Sequence, residues 1–134
     1  MMADLKDLIV NRQELDQQLL AEVLMPYVGI DPDRQEVVPK EGWRNLRPAS
    51  RVLIVLLARK AMCAMPEVAL EDEGMSSKAL EEATGVRGGT LRPTLSRLKN
   101  KTLVAQDGQR RYYVPTHAVL AARAAIAGGA GNEG

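Results

Sequence analysis

The sequence predicts an α+β fold that is mainly helical, with one domain over residues 49–127 and a long helix in front of it. Three observations support this prediction. Residues 51–65 are apolar nearly all round, as a central buried helix is. Two shorter helical segments follow, joined by a turn that contains glycine. Two strand-like runs joined by Asp107 and Gly108 then indicate a β-hairpin.

The composition is that of an ordinary globular protein. The chain has 134 residues, 46% hydrophobic and 26% charged, and its net charge is only +1. A single cysteine excludes an internal disulfide and any zinc site built on two cysteines of this chain, so we expect a cytoplasmic protein. No signal peptide is evident, and the longest apolar run, Val52 to Ala58, is far shorter than the roughly 20 residues of a membrane span.

Residues 1–24 are predicted to form the N-terminal helix. Residues 2–24 lack glycine and proline, and apolar residues recur at steps of three and four, namely Leu5, Leu8, Leu15, Leu19 and Val23. A helix of about 22 residues spans about 33 Å, which is longer than a compact domain of this size covers. It therefore either wraps its own domain or pairs with a second copy to give a homodimer.

Residues 25–48 are predicted to be a linker, because six prolines and glycines interrupt the pattern. Trp43 is expected to pack this linker onto the core. Asp31, Asp33 and Glu36 lack the glycine and the distal glutamate of a calcium loop, so no metal site is predicted. In the next helix Cys63 has no activating neighbour and is interpreted as a small core hydrophobe. Residues 67–74 are predicted to form an acidic loop.

Two helices separated by a tight turn come next. Ser76 or Ser77 is predicted to cap a helix over residues 78–84 that Gly85 ends. Thr90 is predicted to cap a second helix to Lys101, which places Pro93 in its first turn. Leu91, Leu95 and Leu98 share one face of this second helix, so they are expected to point inward.

The hairpin of residues 102–114 is predicted from Asp107-Gly108, a sequence that suits a two-residue type I′ turn. Such a turn pairs Ala105 with Arg110. The expected core face is Leu103, Tyr112 and Val114, and the expected outer face is Val104, Arg111 and Tyr113. Thr116 is predicted to cap a last helix through Ala127, with residues 128–134 as a disordered tail.

The second helix is predicted to present a polar and basic face to solvent. Opposite its leucines lie Pro93, Ser96, Arg97 and Asn100, with Arg92 and Lys101 beside them. Arginine suits guanine and asparagine suits adenine, whereas lysines suit phosphate contacts. The residues predicted to bind DNA are Arg87, Gly89, Thr90, Arg92, Ser96, Arg97, Lys99, Asn100, Lys101, Arg110 and Arg111.

Charge is segregated along the chain in a way that favours this interpretation. Residues 1–63 hold 9 basic and 9 acidic side chains, residues 64–84 hold 1 and 6, and residues 85–134 hold 8 and 2. The near-zero net charge therefore averages an acidic segment and a basic one.

A set of residues in the second half of the chain resembles the pattern of a known superfamily. The set consists of Leu80, Ala83-Thr84-Gly85-Val86, Gly89-Thr90-Leu91-Arg92, Leu95, Leu98, Leu103-Val104 and Tyr112-Tyr113-Val114-Pro115. Over residues 50–127 the chain looks like the winged helix-turn-helix superfamily of prokaryotic DNA-binding regulators. The resemblance implies that helix 90–101 enters the major groove of double-stranded DNA and that the hairpin, as a wing, contacts the flanking backbone. Thr102 departs from the pattern, because relatives often place a glycine there.

Two functions fit this expectation. The leading one is a DNA-binding transcriptional regulator, and the alternative is a winged-helix module that makes protein contacts within a larger assembly. An enzyme is not predicted, because His117 has no cysteine or serine partner in the sequence. No cofactor is predicted either.

Overall fold

The fold is known from a computed structural model, which describes the backbone of residues 12–132 and the side chains of residues 17–128. It is α+β and mainly helical. The elements in chain order are α1 (Arg12–Leu24), β1 (Val28–Asp31), β2 (Glu36–Pro39), a 3-10 helix (Glu41–Asn45), α2 (Pro48–Ala64), α3 (Ser77–Thr84), α4 (Gly88–Asn100), β3 (Ala105–Gln106), β4 (Tyr112–Tyr113), a second 3-10 helix (Thr116–Ala118) and α5 (Val119–Asn132).

Helix α2 is the centre of the molecule. Every residue from Val52 to Ala58 is at most 1% exposed. A helix that is apolar on all sides needs neighbours on all sides, and α1, α3, α4, α5 and β4 all pack against α2. The prediction of a central buried helix is therefore confirmed.

The described part of α1 packs on its own domain. Leu20, Val23 and Leu24 are buried in the core, where α1 lies along α2. Leu5 and Leu8 lie outside the described residues. The pairing of two copies through the N-terminal helix stays a prediction.

The interpretation of residues 25–48 as a linker is wrong, because this segment is structured. Strands β1 and β2 pair antiparallel, with Val28 opposite Pro39 and Asp31 opposite Glu36. The Asp31 carboxylate accepts hydrogen bonds from the Asp33 and Arg34 amides, so it stabilises the turn between the strands. The 3-10 helix places Trp43 in the core as expected, with the Arg51 guanidinium 5.1 Å from the centre of its ring.

The turn between α3 and α4 is shorter than predicted. Ser76 caps α3 as expected, since its Oγ accepts the Ala79 amide at 3.1 Å, and Gly85 ends α3 with a φ of 74°. Helix α4 then begins at Gly88 after an Arg87 N-cap, not at a Thr90 cap. Pro93 is consequently the sixth residue of α4 and lies in its second turn, on the exposed side of the helix. Its missing N–H leaves the carbonyl of residue 89 to solvent.

Helix α4 ends in a motif that usually requires glycine. Thr102 has a φ of 60°, and its amide donates to the Lys99 carbonyl at 3.0 Å. The Leu103 amide donates to the Leu98 carbonyl, also at 3.0 Å, while both leucine side chains are buried. These two bonds define a Schellman motif, so Thr102 adopts the left-handed conformation that glycine usually occupies at a helix end.

The predicted hairpin register is wrong. Ala105 lies opposite Tyr113, not Arg110. Arg110, with a φ of 63°, donates its amide to the Asp107 carbonyl, and the Asp107 amide donates to the Arg111 carbonyl. This is a three-residue loop whose positive φ falls on Arg110 and not on Gly108.

The physical reason for the different loop is the Asp107 side chain. Its Oδ1 accepts the amides of Gln109 at 2.8 Å and Arg111 at 3.0 Å, which stabilises the longer turn. The new register buries Val104, which was predicted to face outward. Met75 also pairs with Tyr112 through two backbone hydrogen bonds of 2.9 and 2.7 Å, so a third chain segment lies beside β4.

Helix α5 is longer than predicted. It extends to Asn132, so the expected disordered tail is wrong for residues 128–132. Val119, Ala122 and Ile126 are buried on one side of this helix, which packs on α2.

The left-handed residues that end α3 and α4, Gly85 and Thr102, give stability predictions of opposite sign. Thr102→Gly should raise the free energy of unfolding by about 0.5–1 kcal/mol, because glycine adopts a positive φ without the steric strain that a β-branched residue has there. Gly85→Ala should lower it by about 1 kcal/mol for the converse reason. Urea denaturation of both variants checks this; a loss of stability in Thr102→Gly would show that the left-handed strain is smaller than the added chain entropy.

Candidate nucleic-acid interface

The exposed face of α4 carries the residues that the sequence assigned to it. Leu91, Leu95 and Leu98 are all under 5% exposed and fix the orientation of the helix. The opposite side is open to solvent and presents Arg92, Pro93, Ser96, Arg97, Lys99 and Asn100. The predicted inward and outward faces of this helix are therefore confirmed.

This part of the chain contains cations and no carboxylates. From residue 85 to residue 106 there are five Lys and Arg and no Asp or Glu. The ion pairs among the described residues join Lys60 to Glu73 and Arg111 to Asp72 and Asp107. Within residues 85–110, six exposed cations therefore form no ion pair with a described residue: Arg87, Arg92, Arg97, Lys99, Lys101 and Arg110. We call these six residues the basic set.

One member of the basic set also ties α4 to the hairpin. The Lys99 ammonium donates to the Gln106 side-chain oxygen at 2.6 Å, and the Gln106 amide nitrogen donates to the Arg110 carbonyl at 3.4 Å. This chain of contacts connects the last turn of α4 with the tip of the hairpin. Lys99 therefore keeps its charge at the surface while it orients the hairpin.

The start of α4 is not an open anion site. The Glu81 carboxylate of α3 accepts the Gly88 amide at 3.1 Å, so a negative group from the chain itself already lies at the positive end of α4. Thr90 and Gly89 are exposed, and nothing lies within 4 Å of a Cβ built at Gly89. A phosphate group could approach Gly89 closely, but the neighbouring Glu81 carboxylate would repel it.

Arg111 differs from the other predicted contact residues because it is half-buried and ion-paired. Its Nη2 lies 2.6 Å from Asp72 and its Nε lies 3.3 Å from Asp107. Asp72 is itself held, since its side chain accepts the Gly74 amide at 2.8 Å and its carbonyl accepts from Arg59 at 2.8 Å. Arg111 thus links the acidic loop to the hairpin, while its neighbour Arg110 stays exposed.

The Asp107 carboxylate is stabilised in its charged form. The backbone hydrogen bond from Arg111 is the largest of the effects that lower the pKa of Asp107, followed among the favourable contacts by the bond from Gln109. A pKa below its unfolded value means that this stabilisation is present at neutral pH and is lost as the pH falls through the folded-state value. Protonation of Asp107 therefore weakens the hydrogen bonds that stabilise the hairpin loop.

Arg51 is a further cation near the start of α4 that the sequence analysis did not assign. It comes from α2 and donates to the Thr84 carbonyl at 3.3 Å, at the end of α3. With Arg87 and Thr90 it lines a cavity of about 320 Å³ beside the turn. Periodicity could not show this, because Arg51 is separated from α4 by more than thirty residues.

The interpretation of Cys63 as a small hydrophobic residue of the core is wrong, because this residue is exposed. The pKa of its thiol is raised, first by partial burial of the sulfur and then by the negative charge of Glu73. A raised pKa lowers the thiolate fraction, so Cys63 is a poor nucleophile.

Comparisons of the chain with family models, with curated proteins and with solved structures found no match. Over the part of the chain that the structure describes, there is no helix with the length and apolar character to cross a membrane.

The ion pair between Arg111 and Asp72 should couple the hairpin to the acidic loop. In a double-mutant cycle of Arg111→Met and Asp72→Asn, we expect a coupling free energy of about 0.2–1 kcal/mol, because both side chains are partly exposed. Urea denaturation at low and high salt measures it, and the coupling should shrink with salt. A coupling of zero at low salt would contradict the assignment of Arg111 to this contact.

Proposed function

We propose that this chain is a DNA-binding protein of the winged helix-turn-helix type that regulates transcription. In this proposal α4 lies in the major groove, α3 is the preceding helix of the pair, and the β3–β4 hairpin is the wing over the flanking backbone. The order α2, α3, α4 and hairpin supports the proposal, as does the Met75–Tyr112 pairing, which places the hairpin beside the strand segment that precedes α3.

One observation carries the proposal, namely the basic set along residues 87–110, a stretch in which Asp107 is the one carboxylate. Six exposed cations that have no ion-pair partner among the described residues repel one another, and a polyanion relieves this repulsion. Duplex DNA carries one charge per about 1.7 Å of helix axis, so it supplies anions at a density that such a surface matches.

The basic set divides into two expected roles. Arg97 lies on the centre of the exposed α4 face with Ser96 and Asn100, where side chains reach base edges. Arg110 lies at the hairpin tip and suits the sugar-phosphate backbone. Arg111 was also predicted to bind DNA. In this proposal it instead holds the hairpin through its ion pairs with Asp72 and Asp107.

Salt dependence and paired mutants test the proposal. Log affinity for duplex DNA should fall with log salt at about −0.9 per phosphate neutralised, which for six contacts is a slope of about −5. Arg97→Ala should cost roughly 1–3 kcal/mol at one base pair of a specific site, whereas Arg110→Ala should weaken all sequences alike and reduce the slope by about one.

Arg34→Ala is the matched control, because it removes an exposed arginine from the β1–β2 turn. It should leave affinity and slope unchanged. Absence of duplex binding at low salt would refute the proposal and favour the protein-contact module. Equal losses from Arg97→Ala on specific and random DNA would remove Arg97 from base readout.

Removal of the negative charge of Glu81 tests the proposal by an expected increase in DNA affinity. Glu81→Gln keeps a side chain that accepts the Gly88 amide but removes the negative charge beside the start of α4. We expect DNA affinity at low salt to rise by a few fold, since a charge at a helix N-terminus is worth about 0.3–1 kcal/mol. Glu82→Gln, an exposed neighbour on α3, is the control. Equal affinities of wild type and Glu81→Gln would show that phosphate does not approach this helix end.

A further inference from the structure

A second cavity lies away from α4, between α1, β1 and the end of α2. Its volume is about 420 Å³, within the range of small-molecule pockets. Its walls are almost entirely aliphatic and include Leu20, Leu24, Val28, Ile30 and Met65. The space exists because the facing positions hold residues with little or no side chain.

These small residues are Ala21 on α1, Gly29 on β1, and Ala61 and Ala64 on α2. Water in contact with such walls loses hydrogen bonds without gaining polar partners, so an apolar molecule that replaces it is stabilised by the area it covers. The cavity therefore favours an apolar ligand body.

One charged side chain stands among the described lining residues, and it is basic. The Lys40 side chain passes Gly29, with its Cε 3.7 Å from the position of a Cβ there. Its ammonium donates to the Met25 carbonyl at 2.9 Å, which holds the charge at the rim and leaves two N–H groups for a ligand. No carboxylate is among the described residues that line the cavity, so the charge at its mouth selects an anion.

We propose that this cavity binds an aliphatic carboxylate of medium chain length, with the alkyl chain between α1 and α2 and the carboxylate at Lys40. The ligand would contact α1 and the end of α2 together, so it would fix the N-terminal elements against the central helix. The inference is independent of DNA binding, because it uses neither α4 nor the basic set.

Thermal unfolding of the full chain with hexanoate, octanoate and decanoate, below their micelle concentrations, tests the proposal. Apparent affinity should rise by up to about fourfold per added methylene and then level off when the chain fills the cavity. Decanol should bind more weakly than decanoate by up to about fivefold, and decylamine more weakly still, because Lys40 favours a negative head group.

Two variants localise the binding. Ala21→Leu places a larger side chain into the cavity from an exposed position of α1, and should abolish decanoate binding while the protein stays folded. Ala124→Leu makes the same change on the exposed side of α5 and should bind as wild type. Lys40→Gln should remove the preference for decanoate over decanol.

Three results would overturn the proposal. They are no stabilisation by any of the carboxylates, undiminished binding in Ala21→Leu, and equal binding of decanoate and decylamine by wild type. A change of sedimentation mass in Ala21→Leu, without carboxylate binding by wild type, would instead assign the cavity to a second copy of the chain.

Discussion

The rest of the structure depends on the burial of α2 from every direction. Its apolar residues run around the whole helix, so α1, α3, α4 and α5 must cover it on different sides. Its polar side chains then hold the connections between those helices. Arg51 bonds the end of α3, Arg59 bonds three carbonyls of the acidic loop, and Lys60 pairs with Glu73. Packing and polar contacts of one helix therefore position both the helix pair and the loop behind the hairpin.

This arrangement explains why a chain of net charge +1 presents a basic surface. Three of the six carboxylates of residues 64–84 make internal contacts, namely Asp72 with Arg111, Glu73 with Lys60 and Glu81 with the Gly88 amide. The cations of residues 85–110 have no comparable partners among the described residues. Segregation along the sequence is accompanied by a difference in contacts, because Asp72, Glu73 and Glu81 contact other parts of the chain while the basic set faces solvent.

The sequence predicted the helices well where periodicity and caps agree. Leu91, Leu95 and Leu98 were placed correctly, and the capping roles of Ser76 and Gly85 are confirmed. The predictions were wrong where a single side chain determines the conformation of a short segment. Asp107 selects a three-residue loop over the type I′ turn and shifts the register, and Glu81 of a different helix accepts the first amide of α4. Hydrophobic periodicity in the sequence does not reveal contacts of this kind.

The same limit applies to the candidate interface and to the N-terminal region. The exposed α4 face followed from helical spacing, but the ion pairs of Arg111 depend on the fold of the acidic loop and were missed. In residues 25–48 the frequent prolines and glycines concealed two strands of four residues each, too short to give a clear alternation. The cavity at Lys40 likewise needed three separate elements to be brought together.

Amide chemical-shift mapping by NMR on addition of a short duplex DNA at low salt shows whether α4 and the hairpin tip form the DNA-binding surface. If α4 lies in the major groove, the largest changes fall on residues 87–101 and on Arg110, with smaller changes at α1, β1 and β2. The absence of changes, or their concentration on the β1–β2 hairpin and α5, would contradict it.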